Sequence, residues 1–327
     1  MNFVCTERNG ELTCFGKHGR LHVEGKNLLD ENDKIVVLHG ISTHNILIYP
    51  EYINEEAFAQ YVDEYGVNIM RFAMYSGEAD GEVGYSGSDD DRKRELEEII
   101  LDGVRICASL GIYCMVDWHI LFDYNPNMNI ETAKKFWRSI SLRLRNYDNV
   151  IYEICNEPNM NLKTNSDAVS WEQVCDYANV IIPLIRDIDE TKIIIVGTPI
   201  WSQNVDEAAD APLSYENVMY TLHFYADSHK EEVRDKARYA LNKDLPIFVT
   251  EFGMCNASGD GDINEEETTA WFKLLDDNNI SYIIWNLSNK NETSSLIKPD
   301  CEKVQGFVLD DLSDSGKRMV EYMKNFK

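Results

Sequence analysis

The sequence predicts an α/β fold, a single (β/α)8 TIM barrel, from three observations. Eight short apolar runs rich in β-branched residues recur along the chain between turn residues, the pattern of strands buried on both faces. Amphipathic stretches separate them, as where Leu96, Ile99, Ile100, Val104 and Ala108 repeat at helical spacing. The length of 327 residues is ordinary for such a barrel, and no composition break, linker or solenoid-period repeat divides it. An open doubly wound sheet is the rival, but no Gly-x-Gly-x-x-Gly follows the first strand.

Residues 21–24 and 27–29, joined at Gly25, predict an N-terminal hairpin covering the bottom of the barrel. Strands are expected at 35–38, 67–73, 112–116, 150–155, 193–196, 218–222, 247–249 and 282–285, and helices at 54–65, 92–110, 131–145, 171–186, 229–241 and 265–277. The Gly- and Asp-rich stretch 78–91 reads as a long loop over the mouth. The whole chain, 1–327, is one domain, with the barrel proper from about residue 33 to 327.

Composition narrows the partners. Against 31 basic residues stand 57 acidic ones, a formal charge of -26, which repels phosphate backbones and anionic membranes. Nucleic acid is therefore not expected as a partner, whereas a neutral polymer is indifferent to the field. No apolar stretch is long enough to span a membrane, and residues 1–20 have no apolar core of a secretory signal. The eight cysteines form no Cys-x-x-Cys pair and no zinc spacing; Cys107, Cys114, Cys155 and Cys175 are expected as buried thiols, as is Cys255, and Cys5 and Cys14 as a possible small-loop bridge. No metal or cofactor is expected. Asn256, Asn279, Asn286 and Asn291 open Asn-x-Ser/Thr sequons, three of them beside the residues below, where a glycan would block a ligand.

Two apolar runs stop at a glutamate: 150–155 before Asn156-Glu157-Pro158, and 247–249 before Thr250-Glu251-Phe252-Gly253. A carboxylate where a buried strand ends is costly unless a partner or a function holds it. One such residue is ordinarily a solvated terminus or an ion-pair member. Two suggest an acid and a base facing a common substrate, the equipment of a glycosidase.

These two runs, with Gly40-Ile41-Ser42-Thr43-His44, Asn68-Ile69-Met70-Arg71, Val116-Asp117-Trp118-His119-Ile120-Leu121, Trp201-Ser202-Gln203, Leu222-His223-Phe224-Tyr225 and Ile284-Trp285-Asn286-Leu287-Ser288, resemble glycoside hydrolase family 5. The resemblance runs from about Gly19 to the C-terminus and is nearest to bacterial secreted endo-β-1,4-glucanases. It implies a retaining endo-β-1,4-glucanase acting on cellulose or a related β-glucan; mixed-linkage glucan, xyloglucan and mannan remain open. It also implies a secreted, monomeric enzyme whose leader is absent from this chain.

The resemblance gives Glu157 the role of acid/base and Glu251 that of nucleophile. Arg71 suits Glu251 as a planar partner, and Tyr225 is its expected hydroxyl donor. Asn156 is implied to reach the sugar 2-hydroxyl, which needs an irregular strand end, since neighbours on a strand face opposite ways. His44, His119 and His223 are expected on sugar hydroxyls or carboxylates, and Trp201 and Trp285 as sugar platforms. Tyr85, Lys290 and Glu292 resemble non-reducing-side contacts. Trp118, Trp137, Trp171 and Trp271 are assigned to packing. Glu153 is expected about 13 Å deeper than Glu157, at ~3.3 Å per residue, in a structural network. One departure stands out: Ile48 occupies the place where the family usually has tryptophan, so a distal subsite is weakened or rebuilt with Tyr49. A metal-dependent barrel hydrolase, with His119, His223, Glu157 and Glu251 as a cage, is the reading from another class. Arg71 and the lack of His-x-His on the first strand oppose it.

Overall fold

The computed structural model describes residues 2–324 except 80 and 163, so Asp80 of the expected loop lies outside the described residues. Eight parallel strands close into a barrel in chain order. They are β1 (His39–Thr43), β2 (Ile69–Tyr75), β3 (Tyr113–His119), β4 (Val150–Glu153), β5 (Ile194–Val196), β6 (Val218–Tyr225), β7 (Ile247–Gly253) and β8 (Tyr282–Leu287). Helices α1 (Glu55–Tyr65), α2 (Asp90–Leu110), α3 (Ile130–Leu144), α4 (Trp171–Arg186), α5 (Val205–Asp210), α6 (Glu231–Asn242), α7 (Glu265–Asp277) and α8 (Asp314–Met323) follow the strands in turn.

The helix ends follow local chemistry. Ser170 and Gln173 form a reciprocal capping box before α4, Asn54 and Asp89 cap α1 and α2, and Gly66 and Gly111 close those two helices in the left-handed conformation. Among the described residues no helix is long and apolar enough to cross a membrane.

The first strand differs from its expected place. The apolar run 35–38 belongs to the barrel floor: Val36 N–H donates to Leu28 O, and Val36 and Leu38 join the bottom cluster with Leu21, Leu28 and Phe15. The strand proper is the next segment, less apolar because its far end serves the mouth. The hairpin pairs His22–Glu24 with Asn27–Leu29 as expected. At the other end, β4 stops at Glu153, while β6 and β7 run past their apolar stretches to Tyr225 and Gly253. The cysteines are free thiols; Cys5 and Cys14 are not bridged, Cys107, Cys114, Cys155 and Cys255 are buried, and Cys175 is half-buried. The four packing tryptophans are buried.

The inward faces of the strands change character along the axis. Ile69, Met115, Ile151, Met219, Phe248 and Ile283 fill the lower barrel. Two residues further along the same strands stand Arg71, Asp117, Glu153, Thr221, Thr250 and Trp285. The period of two therefore turns an apolar plug into a polar floor within one repeat.

Candidate active site

The C-terminal ends of the strands open into a cavity of about 660 Å³. Its walls carry His44, His119, Glu157, Trp201, His223, Tyr225, Glu251, Trp285, Lys290 and Glu292. Arg71, Asn156 and Tyr85 are the expected site residues that do not line it.

Arg71 lies within this polar floor, with no exposed surface, and its planar fork is fully used. Nε donates to Glu153 Oε2 at 2.7 Å, Nη1 to Ser42 Oγ and Glu251 Oε2, each at 3.2 Å, and Nη2 to Asn156 Oδ1 at 2.6 Å. Asp117 Oδ2 lies 3.0 Å from Nη2. Arg71 therefore positions carboxylates and does not face a ligand. Asn156 is equally buried: its amide nitrogen faces Ile120 O at 3.0 Å and His119 Nε2 at 3.3 Å. It supports Arg71 and His119 from below the cavity.

Glu157 and Glu251 each bring an oxygen within 4.8 Å of the other and of a His223 nitrogen. Both are nearly sealed from water, 7% and 5% exposed. Their surroundings divide them. Glu251 is clasped by Arg71 on Oε2, and the Tyr225 hydroxyl donates to Oε1 at 2.9 Å. Burial raises its carboxyl, while Arg71 and Tyr225 pull it back toward the ionised form. Glu157 meets His223 Nδ1 at 2.9 Å. Burial, then the charge of Glu251, pushes its carboxyl well above the ordinary range.

The histidines are held neutral. Burial drives His119 down to about 3, with Arg71 adding to the effect, and lowers His44 and His223 well below their ordinary value. His119 is sandwiched between Tyr75 at 4.1 Å and Trp285 at 5.2 Å, and its Nδ1 lies 2.7 Å from Asp117 Oδ2. Since Asn156 Nδ2 donates to Nε2, the ring proton sits on Nδ1 and goes to Asp117. Beside this stack, where His44 packs on Trp285 at 5.0 Å, Lys290 Nζ lies 3.0 Å from Glu292 Oε2 and 3.2 Å from His44 Nε2.

Trp201 is half-buried and presented by an unusual backbone. Ile200, Trp201 and Ser202 have φ of 57°, 52° and 57°, a left-handed turn that costs L-residues energy and marks imposed geometry. Trp201 N–H donates to Pro158 O at 3.0 Å and Ser202 Oγ to Asn156 O at 2.5 Å, tying the turn to the loop that carries Glu157.

Two expectations are corrected. Tyr85 is 3% exposed and packs on Trp118 and Phe136, and its hydroxyl donates to Glu97 at 2.7 Å. The loop bearing it folds inward because Glu97 offers a buried acceptor. Glu153 is not remote from Glu157: His223 lies between them, 3.9 Å from Glu153 Oε1 and 2.9 Å from Glu157 Oε1. The chain leaves the strand after Glu153, so the intervening residues do not climb at the strand rise. At the place where the family usually has tryptophan, the half-buried Ile48 packs against the core, and its neighbour Tyr49 stands edge-on to the cavity residue His44 at 5.2 Å.

Asp117, Thr250, Thr221 and Ser42 are site residues that motif reading passed over. Asp117, Thr250 and Ser42 lay inside quoted motifs, and the spacing of Asp117 to His119 places both on one face of β3. Thr250 and Glu251, neighbours, would face opposite ways on a regular strand; pairing of β7 slips against β6 and β8 there, and both reach the site. The metal cage is not assembled as expected, because both His119 nitrogens are committed to Asp117 and Asn156. Glu157, His223 and Glu251 do converge, but each already bonds a protein partner, and Arg71 opposes a cation among them.

The family model described as Cellulase (glycosyl hydrolase family 5) matches residues 29–291. The chain is 39% identical over 311 residues to Endoglucanase A of Butyrivibrio fibrisolvens, covering 95% of this chain and 70% of the relative. It is 42% identical over 305 residues to an endoglucanase of Clostridium saccharobutylicum, covering 93% of this chain and 64% of that one. The chain thus spans about two thirds of the length of these curated relatives. The solved catalytic domain of a Thermobifida fusca endoglucanase in complex with cellotetraose superposes with a TM-score of 0.87 at 30% identity, covering 95% of this chain and 99% of that one.

Proposed function

The chain belongs to glycoside hydrolase family 5, and from that premise we propose that it is a retaining endo-β-1,4-glucanase cleaving internal bonds of cellulose or a related β-glucan. The observation that carries the reading is the pair Glu157 and Glu251. One oxygen of each lies within 4.8 Å of the other, which supports the closely spaced carboxyl pair of double displacement (~5–5.5 Å) over the ~6.5–9.5 Å that leaves room for an inverting water.

The roles follow from the two environments. Glu251, steadied by Arg71 and Tyr225, is the nucleophile that attacks the anomeric carbon. Glu157, biased toward its protonated form by burial and by Glu251, gives its proton to the leaving oxygen. Glu157, then ionised, takes a proton from the water that releases the glycosyl-enzyme. Trp285 and Trp201 offer flat faces to pyranose rings. Lys290, Glu292 and His44 offer hydroxyl partners on one side of the cleavage point. No step needs a metal or cofactor.

Whether the natural polymer is cellulose, mixed-linkage glucan, xyloglucan or mannan turns on single hydroxyl orientations and branches. A polymer is met outside the cell, so we take the protein as secreted; we also take it as a monomer, with residues 1–327 forming one catalytic domain. A panel of soluble glucans and mannans, with product lengths and the anomer of first product followed over time, tests the reading. Short oligosaccharides of retained β-configuration from internal cleavage are expected. Inverted product, or release of single sugars from chain ends, overturns it.

A further inference from the structure

We propose that Glu153 and Thr250 act through His223 as positioning residues that keep the acid proton on Glu157. The inference rests on Glu157 being the acid, as proposed above, and deepens it.

The geometry is a chain of four side chains. Thr250 Oγ1 lies 2.6 Å from Glu153 Oε1, 2.8 Å from His223 Nε2, and in contact with Thr221 Oγ1. A hydroxyl has one proton and two lone pairs, so its three neighbours must be one acceptor and two donors. Glu153 is wholly buried and, facing Arg71 Nε at 2.7 Å through its other oxygen, is the acceptor. His223 Nε2 stands 3.9 Å from Glu153 Oε1, beyond hydrogen-bond reach. The Thr250 proton therefore points to Glu153, and Thr250 accepts from the Thr221 hydroxyl and from His223 Nε2–H. His223 is neutral, so its Nδ1 is a bare acceptor. Nδ1 lies 2.9 Å from Glu157 Oε1, and two acceptors bond only if Glu157 carries the proton.

The direction of the chain is fixed at its Arg71 end. Glu153 pairs directly with the guanidinium at 2.7 Å, whereas the direct partner of Glu157 is His223. Burial raises both carboxyls, but the direct guanidinium contact pulls Glu153 back toward its ionised form while the charge of Glu251 pushes Glu157 further up, so the proton is held more firmly on Glu157. After Glu157 gives its proton to the leaving oxygen, its carboxylate faces the Nδ1 lone pair. Recovering a proton from the attacking water, whose oxygen goes to the anomeric carbon, restores the bond. The same chain therefore strengthens Glu157 as a base in the second step. The other charged or titratable groups around it are Arg71 from β2, Asp117 and His119 from β3, Cys155 beyond β4, Tyr225 from β6, His229 after β6, and Glu251 from β7. Thr250→Val leaves all of these in place.

The test uses Thr250→Val, with Thr250→Ser as the conservative control. Without the hydroxyl, His223 is free to carry its proton on Nδ1 and donate to an ionised Glu157. The alkaline limb of kcat/KM on cellotetraose should then move down by about one pH unit or more, and serine should restore it. Nitrogen NMR of imidazole-labelled protein should report Nε2–H on His223 in the wild type and in Thr250→Ser, and Nδ1–H in Thr250→Val. A merely structural threonine would lower activity at every pH and move neither the limb nor the tautomer. Nδ1–H in the wild type overturns the proposal, and that measurement needs no variant to fold. An unmoved limb with an unmoved tautomer in Thr250→Val does the same. If Glu157→Gln keeps the alkaline limb, the assignment of the acid fails instead, while the tautomer still judges the chain.

Discussion

Arg71 holds Glu251 through one nitrogen, Nη1 to Oε2 at 3.2 Å, while the rest of its guanidinium is committed to Glu153, Asp117, Asn156 and Ser42. A single planar cation thus fixes the orientation of Glu251 and neutralises a floor that would otherwise hold buried carboxylates alone.

Arg71→Lys keeps the charge but cannot reach five partners from one nitrogen. We expect kcat/KM to fall at least about 100-fold, and the unfolding free energy to fall by about 3–5 kcal/mol, as for a broken buried pair. Urea denaturation beside steady-state kinetics measures both. Near-normal values in either would show that the fork is dispensable.

Tyr225→Phe deletes the donor to Glu251 Oε1 and keeps the ring. That donor favours the ionised carboxylate, so its loss raises the nucleophile's titration. The acid limb of the pH profile should therefore move upward by about one unit, with about a tenfold loss of kcat/KM at acidic pH. A downward shift would mean that the hydroxyl does not serve Glu251.

Glu157→Gln cannot protonate a leaving group. Its alkaline limb should vanish, and activity on aryl glycosides with good leaving groups should survive far better than activity on polymer. Equal loss on both substrates would remove Glu157 from the role of acid.

Glu251→Ala takes away the nucleophile and leaves a small space beside the anomeric carbon. The variant should be nearly inactive yet fold and bind oligosaccharide. Added azide should restore turnover and yield the α-glycosyl azide, because it attacks from the face Glu251 occupied. A β-configured adduct would place the nucleophile elsewhere.

Asp117 couples the floor to stability. Burial pushes its carboxyl up to about 7, with Arg71 opposing. In the unfolded chain it titrates near ~4, so the native state binds its proton more tightly. Its contribution is complete below about pH 4 and is lost as the pH rises through about 7. Asp117→Asn should therefore flatten the fall in unfolding free energy between about pH 5 and 7. An unchanged slope in urea titrations at stepped pH would assign the coupling to other groups.

The barrel was legible because its signals are local. Alternating apolar runs and helical periodicity state which segments must be buried, and helices at 171–186 and 265–277 appear with the bounds expected. Glu157 and Glu251 were legible for a related reason: a carboxylate at the end of an apolar run contradicts its surroundings, and the contradiction shows in one dimension. What the sequence did not disclose depends on side chains from different strands meeting. The first strand lay one segment on because burial in the barrel floor and burial in a strand look alike in an apolar run. Tyr85 turned inward because Glu97, on a helix, offered its hydroxyl a buried acceptor.

The sequence by itself thus determined the barrel, the family motifs and the two glutamates at one mouth. The tertiary structure alone decided how they differ. Arg71 and Tyr225 reach Glu251, whereas Glu157 faces His223, and through it Thr250 and Glu153. The physical reason is that the ionisation of a carboxylate is set by its nearest few ångströms. Those neighbours come from β2, β4, β6 and β7, brought together only when the barrel closes.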